Sequence, residues 1–154
     1  MKTWNKPTTD QEILERIEWS SALTRDEARR LLRLSTPCRI SAGRNLTRQD
    51  TVGREAFLVL SGQARVEIDG RIVGQRGPGD FIGEMALLDH GQRCATVVAD
   101  NDMEVLVFDP RAFSGAVLIG AIGRQLARDL AARNRALLVA AGRRTLPQAL
   151  RQLP

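Results

Sequence analysis

The chain has 154 residues, 43% of them hydrophobic and 27% charged, with a net charge of +5. That is the balance of one ordinary globular domain with a core of its own, and it excludes wholesale disorder. No apolar run approaches the roughly 18 residues of a membrane span, residues 1–7 lack the apolar heart of a secretion signal, and Cys38 and Cys94 form no metal-ligand spacing, so a reducing cytoplasm is the expected setting.

Residues 9–18 place Ile13, Leu14 and Ile17 at helical spacing, with Thr9 or Asp10 able to cap the start. After a connection through Trp19-Ser20-Ser21-Ala22-Leu23, Thr24 precedes Asp26-Glu27 as a second helix start. Its stripe is Ala28, Leu31, Leu32 and Leu34, and Pro37 stops it. The mixed charge of these helices argues against a DNA-reading helix pair. From Pro37 the pattern changes to short alternating runs at 39–41, 56–60, 64–68, 71–73, 96–99 and 105–108. Glycines punctuate them at Gly43, Gly53, Gly62 and 77–79, and Asp69-Gly70 signals a tight hairpin. Many short, evenly spaced strands predict an antiparallel β-roll or jelly roll.

Pro110 opens the last element. Ala112-Phe113 starts a short helix, and Leu118, Ile122, Leu126, Leu130 and Leu137 give a long amphipathic stripe that Gly142 and Pro147 end. From Gly120 onward seven arginines (124, 128, 133, 135, 143, 144 and 151) face a single acid, Asp129, so the basicity belongs to this segment. A solvated helix face explains such a run; an acidic partner or nucleic acid is the other reading.

Residues 80–97, DFIGEMALLDHGQRCATV, carry the chemistry. Gly83 opens a short apolar run, Met85-Ala86-Leu87-Leu88, one or two helical turns long. A glycine there lets backbone approach a ligand closely, and the first N–H groups of a helix lack intrahelical partners and attract anions. Arg93 adds a permanently charged donor fork suited to phosphate, and Glu84 can accept hydrogen bonds from hydroxyls. One anion seat beside one hydroxyl acceptor describes a pocket for a sugar phosphate. His90, the only histidine, lies in the intervening loop and is expected to be solvated.

The run Gly83-Glu84-Met85-Ala86-Leu87-Leu88, followed by Arg93-Cys94-Ala95-Thr96-Val97, resembles the phosphate-binding cassette of cyclic nucleotide-binding domains. The order Gly43, then 57–62, then Gly79-Asp80 is similar to that family's roll, so the resemblance runs from about residue 13 to about 138. Gln92 stands where the family usually has proline and Cys94 where it has alanine, serine or threonine; neither change removes a charged contact. The resemblance implies an α+β fold in a single domain, 1–154. N-terminal helices would span 9–34, the β-roll 37–109 with its cassette at 80–97, C-terminal helices 110–142, and a basic tail 143–154. It implies that cyclic phosphate sits on the N–H groups of Glu84, Met85 and Ala86 and on Arg93, aided by Cys94 and Ala95. Glu84 would take the ribose hydroxyl and the apolar wall the base. A C-terminal lid helix would close over the base, with Arg133 or Arg135 as the capping residue. In the family a threonine directly after the arginine often favours cyclic GMP; Cys94 is a weak donor, so cyclic AMP is expected ahead of cyclic GMP.

The rivals meet specific obstacles. A metal-dependent jelly-roll enzyme needs several histidines, and nothing positions His90 for nucleophilic catalysis, so neither an enzyme nor a metal site nor a cofactor is expected. A cyclic-AMP-dependent transcription regulator would need a DNA-reading module in the 13 residues from Gly142 on, too few for one. The competing readings are a β-roll interaction module without ligand, or a nucleic-acid binder acting through the basic C-terminal segment. The expectation is therefore a cyclic nucleotide sensor, with its effector domain or partner protein left open and nucleic acid not expected.

Overall fold

The computed structural model describes residues 2–3 and 9–145, with side chains over 9–142. A two-residue strand, β1 (Lys2–Thr3), precedes α1 (Asp10–Glu15). Thr9 caps α1 with a reciprocal box: its hydroxyl accepts from the Glu12 amide, and the Glu12 carboxylate accepts from the Thr9 amide. The helix stops three residues short of the expected 18, because the backbone turns extended at Ile17. That turn keeps both Ile13 and Ile17 in the core, and a 3-10 turn over Glu18–Ala22 follows. α2 (Arg25–Leu34) carries the same box between Thr24 and Glu27, buries Ala28 and Leu31, and ends at Ser35.

The chain then enters the roll: β2 (Thr36–Ile40), β3 (Asn45–Thr47), β4 (Ala56–Ser61), β5 (Ala64–Ile68), β6 (Arg71–Arg76), β7 (Phe81–Ile82), β8 (Thr96–Ala99) and β9 (Met103–Phe108). All pairings are antiparallel, in two sheets of order β1-β2-β9-β4-β7 and β3-β8-β5-β6. Asp69 and Gly70 both adopt positive φ (52° and 76°), the left-handed pair that a two-residue hairpin needs. Pro37 lies inside β2 rather than before it, opposite Leu106 of β9.

β4 shows why its sequence reads Ala-Phe-Leu-Val-Leu without polar alternation. Phe57 and Val59 face the space between the sheets, with Cys38, Val66, Ile82, Val97 and Val105. Ala56, Leu58 and Leu60 face outward into a second cluster beneath the helices, with Ile17, Leu31, Phe81, Phe108 and Phe113. A strand covered on both faces has no reason to alternate.

Three helices complete the chain: α3 (Glu84–Leu88), α4 (Pro110–Val117) and α5 (Gly120–Thr145). Asp109 caps α4, and Pro110 fills its first position. α5 continues past Gly142; residues 146–154, most of the expected tail and Pro147 with it, lie outside the described residues. The expected apolar stripe is buried only in its first half. Ile122 and Leu126 are core residues, whereas Leu118 is 76% and Leu137 69% exposed. Leu118 is the C-terminal cap residue of α4.

Candidate functional site

The roll positions the segment before α3 through backbone bonds. The Gly79 amide donates to the Val59 carbonyl (2.8 Å) and the Val59 amide to the Asp80 carbonyl (3.0 Å), stitching the glycine turn to β4. The Trp19 indole donates to the Gly79 carbonyl at 2.9 Å and its ring stacks on Phe81, centroids 6.0 Å apart. The 3-10 turn thus braces the entry to the site. Gly83 then takes φ 78°, and a Cβ there would fall 2.3 Å from Arg93 Nη1 and 3.0 Å from the Glu55 carbonyl oxygen. Only glycine fits that conformation in that space.

Arg93 is buried at 6% exposure. Its backbone is pinned on both sides, donating to the Thr51 carbonyl (2.7 Å) and accepting from the Asp50 amide (2.8 Å). Its guanidinium donates to the carbonyls of Gly83 (2.7 Å) and Glu55 (2.6 Å), so part of the fork serves the main chain rather than the open pocket. Gly53 leaves room for it: a Cβ at position 53 would meet the guanidinium carbon at 3.0 Å. Burial pulls the Arg93 pKa below that of an ordinary arginine, opposed by the charges of Glu55, Glu84 and Cys94. Neither Gly53 nor Glu55 carried a sequence signal for this role, since one serves through an absent side chain and the other through a carbonyl.

Gly83, Glu84, Met85, Ala86, Arg93, Cys94 and Ala95 all line one pocket, into which Arg133 also projects. Ala86 and Ala95 are buried, Met85 and Cys94 stand at the rim, and the Thr47 hydroxyl donates to the Ala95 carbonyl at 3.0 Å. Val66, Phe81, Ile82 and Val97 supply an apolar wall. Arg76 lines it too and was not singled out from sequence, because a basic residue ending an exposed-looking strand carries no signal.

Glu84 is 2% exposed, and its carboxylate is held by Arg133 of α5. The two lid candidates therefore separate. Arg133 lines the pocket; Arg135, on another face of α5, is exposed and does not. One turn before Arg133, Asp129 accepts from Gln125 through Oδ1 at 3.0 Å, while its buried Oδ2 has no partner among the described residues. Burial raises the Asp129 pKa above the ordinary carboxylate value, with the Gln125 bond and Arg133 acting in the opposite sense. His90 lies exposed in its loop, and no group of three or more potential metal ligands occurs among the described residues. No described helix is long and apolar enough to cross a membrane.

The pocket combines amides opening a short helix, a buried cation and a buried carboxylate against an apolar wall. That chemistry suits a small anion with hydroxyls and an apolar ring, held inside a β-roll. The chain belongs to the cyclic nucleotide-binding domain family, whose sequence profile matches residues 37–118, more than half of it. Domains of this family are typically regulatory rather than enzymatic. Over 113 residues the chain is 33% identical to the Pycsar effector protein XpPycTIR of Xanthomonas perforans, covering 70% of this chain and 37% of that protein. Over 69 residues it is 39% identical to the cyclic AMP receptor protein of Thermus thermophilus, covering 42% and 32%. It therefore spans about a third of the length of these two curated relatives. The solved catabolite activator protein of Thermus thermophilus superposes with a TM-score of 0.70 at 28% identity, covering 80% of this chain and 61% of that one.

Proposed function

We propose that residues 1–154 form one cyclic nucleotide sensor without catalytic activity of its own, and that its ligand is cyclic AMP ahead of cyclic GMP. The observation that carries this reading is the meeting of Glu84, Arg93 and Arg133 in one pocket whose floor is the opening of α3. The cyclic phosphate takes the amides of Glu84, Met85 and Ala86 and the remaining donors of Arg93, with Cys94 and Ala95 beside it. The ribose hydroxyl takes Glu84, and the base takes the wall of Val66, Phe81 and Val97.

Glu84 is bonded to Arg133, so ribose and Arg133 compete for one carboxylate. Ligand binding then frees Arg133 to stack on the base and repositions α5. A relative named for cyclic AMP supports the choice of nucleotide. Another, named as an effector protein and matched over about a third of its length, supports output through an effector domain or partner. Two unpaired cysteines, Cys38 and Cys94, accord with a cytoplasmic setting.

Isothermal titration with cyclic AMP, cyclic GMP and 5′-AMP tests the reading. Saturable heat with cyclic AMP, weaker binding of cyclic GMP and none of 5′-AMP is expected. No heat with any cyclic nucleotide would overturn it. Base choice has its own check: Cys94→Thr replaces a weak thiol donor with a hydroxyl at the pocket rim and should improve cyclic GMP binding several-fold, about 1 kcal/mol for one neutral hydrogen bond. A wild type that already prefers cyclic GMP would reverse the assignment.

A further inference from the structure

The role of Arg76 is not explained by phosphate or ribose binding. It ends β6 opposite Ala64 of β5, while Gly74, two residues earlier, stands opposite Val66. Residues opposed across strands, and residues two apart along one, share a face. Arg76 and Gly74 therefore face the interior of the roll with the buried Ala64 and Val66. Gly74 puts no side chain there, and the guanidinium of Arg76 lies over the gap: a Cβ at position 74 would sit 3.7 Å from Nη1.

Among the described residues the one hydrogen bond of this guanidinium is to the neighbouring Gln75 carbonyl, at 2.7 Å, and it has no ion-pair partner. Burial and the facing charge of Arg133 disfavour its cation; Asp80, Glu84 and Asp129 act on it in the opposite sense. Arg93, by contrast, feels Glu55, Glu84 and Cys94. Arg76, Glu84, Arg93 and Arg133 all line one pocket, and Arg76 shares the strand face of Val66, part of its apolar wall. A ligand with phosphate on Arg93, ribose on Glu84 and its base on that wall brings the base beside Arg76.

We propose that Arg76 reads the edge of the base, donating to the acceptors of an oxo base, O6 and N7 of guanine or a carbonyl oxygen of uracil. A guanidinium has donors and no acceptor. It matches the paired acceptors O6 and N7 of guanine, whereas adenine sets an amine donor beside N7. The inference rests on the cyclic nucleotide reading and deepens it: adenine binds without help from Arg76, and oxo bases bind with it.

The test titrates the wild-type chain, Arg76→Ala and Arg76→Gln with cyclic AMP, cyclic GMP and cyclic UMP, after melting curves show each variant folded. Arg76→Ala should lose roughly tenfold or more in affinity for cyclic GMP and cyclic UMP, as expected for a charge-assisted bond, and under about threefold for cyclic AMP. Arg76→Gln, whose amide both donates and accepts, should shift the ratio further toward cyclic AMP. Equal losses for all three nucleotides would make Arg76 a general electrostatic aid and overturn the inference, as would no loss at all. A wild type that binds none of them would overturn the sensor reading, and this inference with it.

Discussion

Arg93 holds the fold together in the same place where the proposed ligand would need it. From sequence it is a phosphate donor on a loop; in the structure it is also the clasp that holds the carbonyls of Gly83 and Glu55. Arg93→Ala should therefore weaken cyclic nucleotide binding by at least about tenfold, the worth of a lost charge-assisted bond. It should also lower the melting temperature by several degrees, since two carbonyls lose their donors at a cost of about 1–3 kcal/mol each, and about 2–4 °C follows each kcal/mol at this chain length. Arg93→Lys keeps the charge but cannot span both carbonyls and a phosphate, so it should recover part of the stability and little of the affinity. Melting curves beside titrations separate the two roles. A variant that melts lower yet binds as tightly as wild type would leave Arg93 a purely structural clasp.

At the scale of elements, legibility followed the length of the repeating pattern. β5 and β8 were readable to the residue, β5 because it alternates under a cover on one face and β8 because its short apolar run stops at Asp100. β7 was hidden inside the cassette, since Phe81-Ile82 is too short to show any period and exists only through its pairing with Phe57 and Leu58. β3 was missed likewise, being three residues with a register shift opposite β8. The existence of a long last helix was legible, but its start at Gly120 and the end of its buried face were not: the stripe was read from Leu118, which belongs to the end of α4. Leu126 is buried while Leu137 is exposed, and Arg133 falls at the edge of the roll where it reaches Glu84. Cutting the chain before Ala132 removes Arg133 and uncovers the base, and should weaken cyclic AMP while leaving the phosphate contacts in place. Because a ligand moves α5 only by binding one arrangement more tightly, hydrogen exchange over residues 126–139 should change on adding cyclic AMP. Unchanged affinity after truncation, with unchanged exchange there, would make α5 a passive support.

Taken whole, the molecule is a roll whose candidate site draws on separate parts of the chain. The strands contribute Val66 and Arg76, the cassette Glu84 and Arg93, and α5 Arg133, while Trp19 of the N-terminal turn braces the glycine turn beside them. The cassette was legible because its residues are consecutive, whereas Trp19 and Arg76 reach the site only through tertiary packing. A ligand that bridges such parts stabilises the fold by mass action, since the unfolded chain offers no site. At a ligand concentration 100 times the dissociation constant the gain is about 2.7 kcal/mol. At about 2–4 °C for each kcal/mol, that predicts a rise in melting temperature of about 5–10 °C. Cyclic AMP should produce it and 5′-AMP should not, and the chain cut before Ala132 should show a smaller rise at the same concentration. A full-size shift in the truncated chain would confine the site to the roll and cassette. No shift in the intact chain at saturating cyclic AMP would mean that the pocket closed by Arg133 does not open to this ligand.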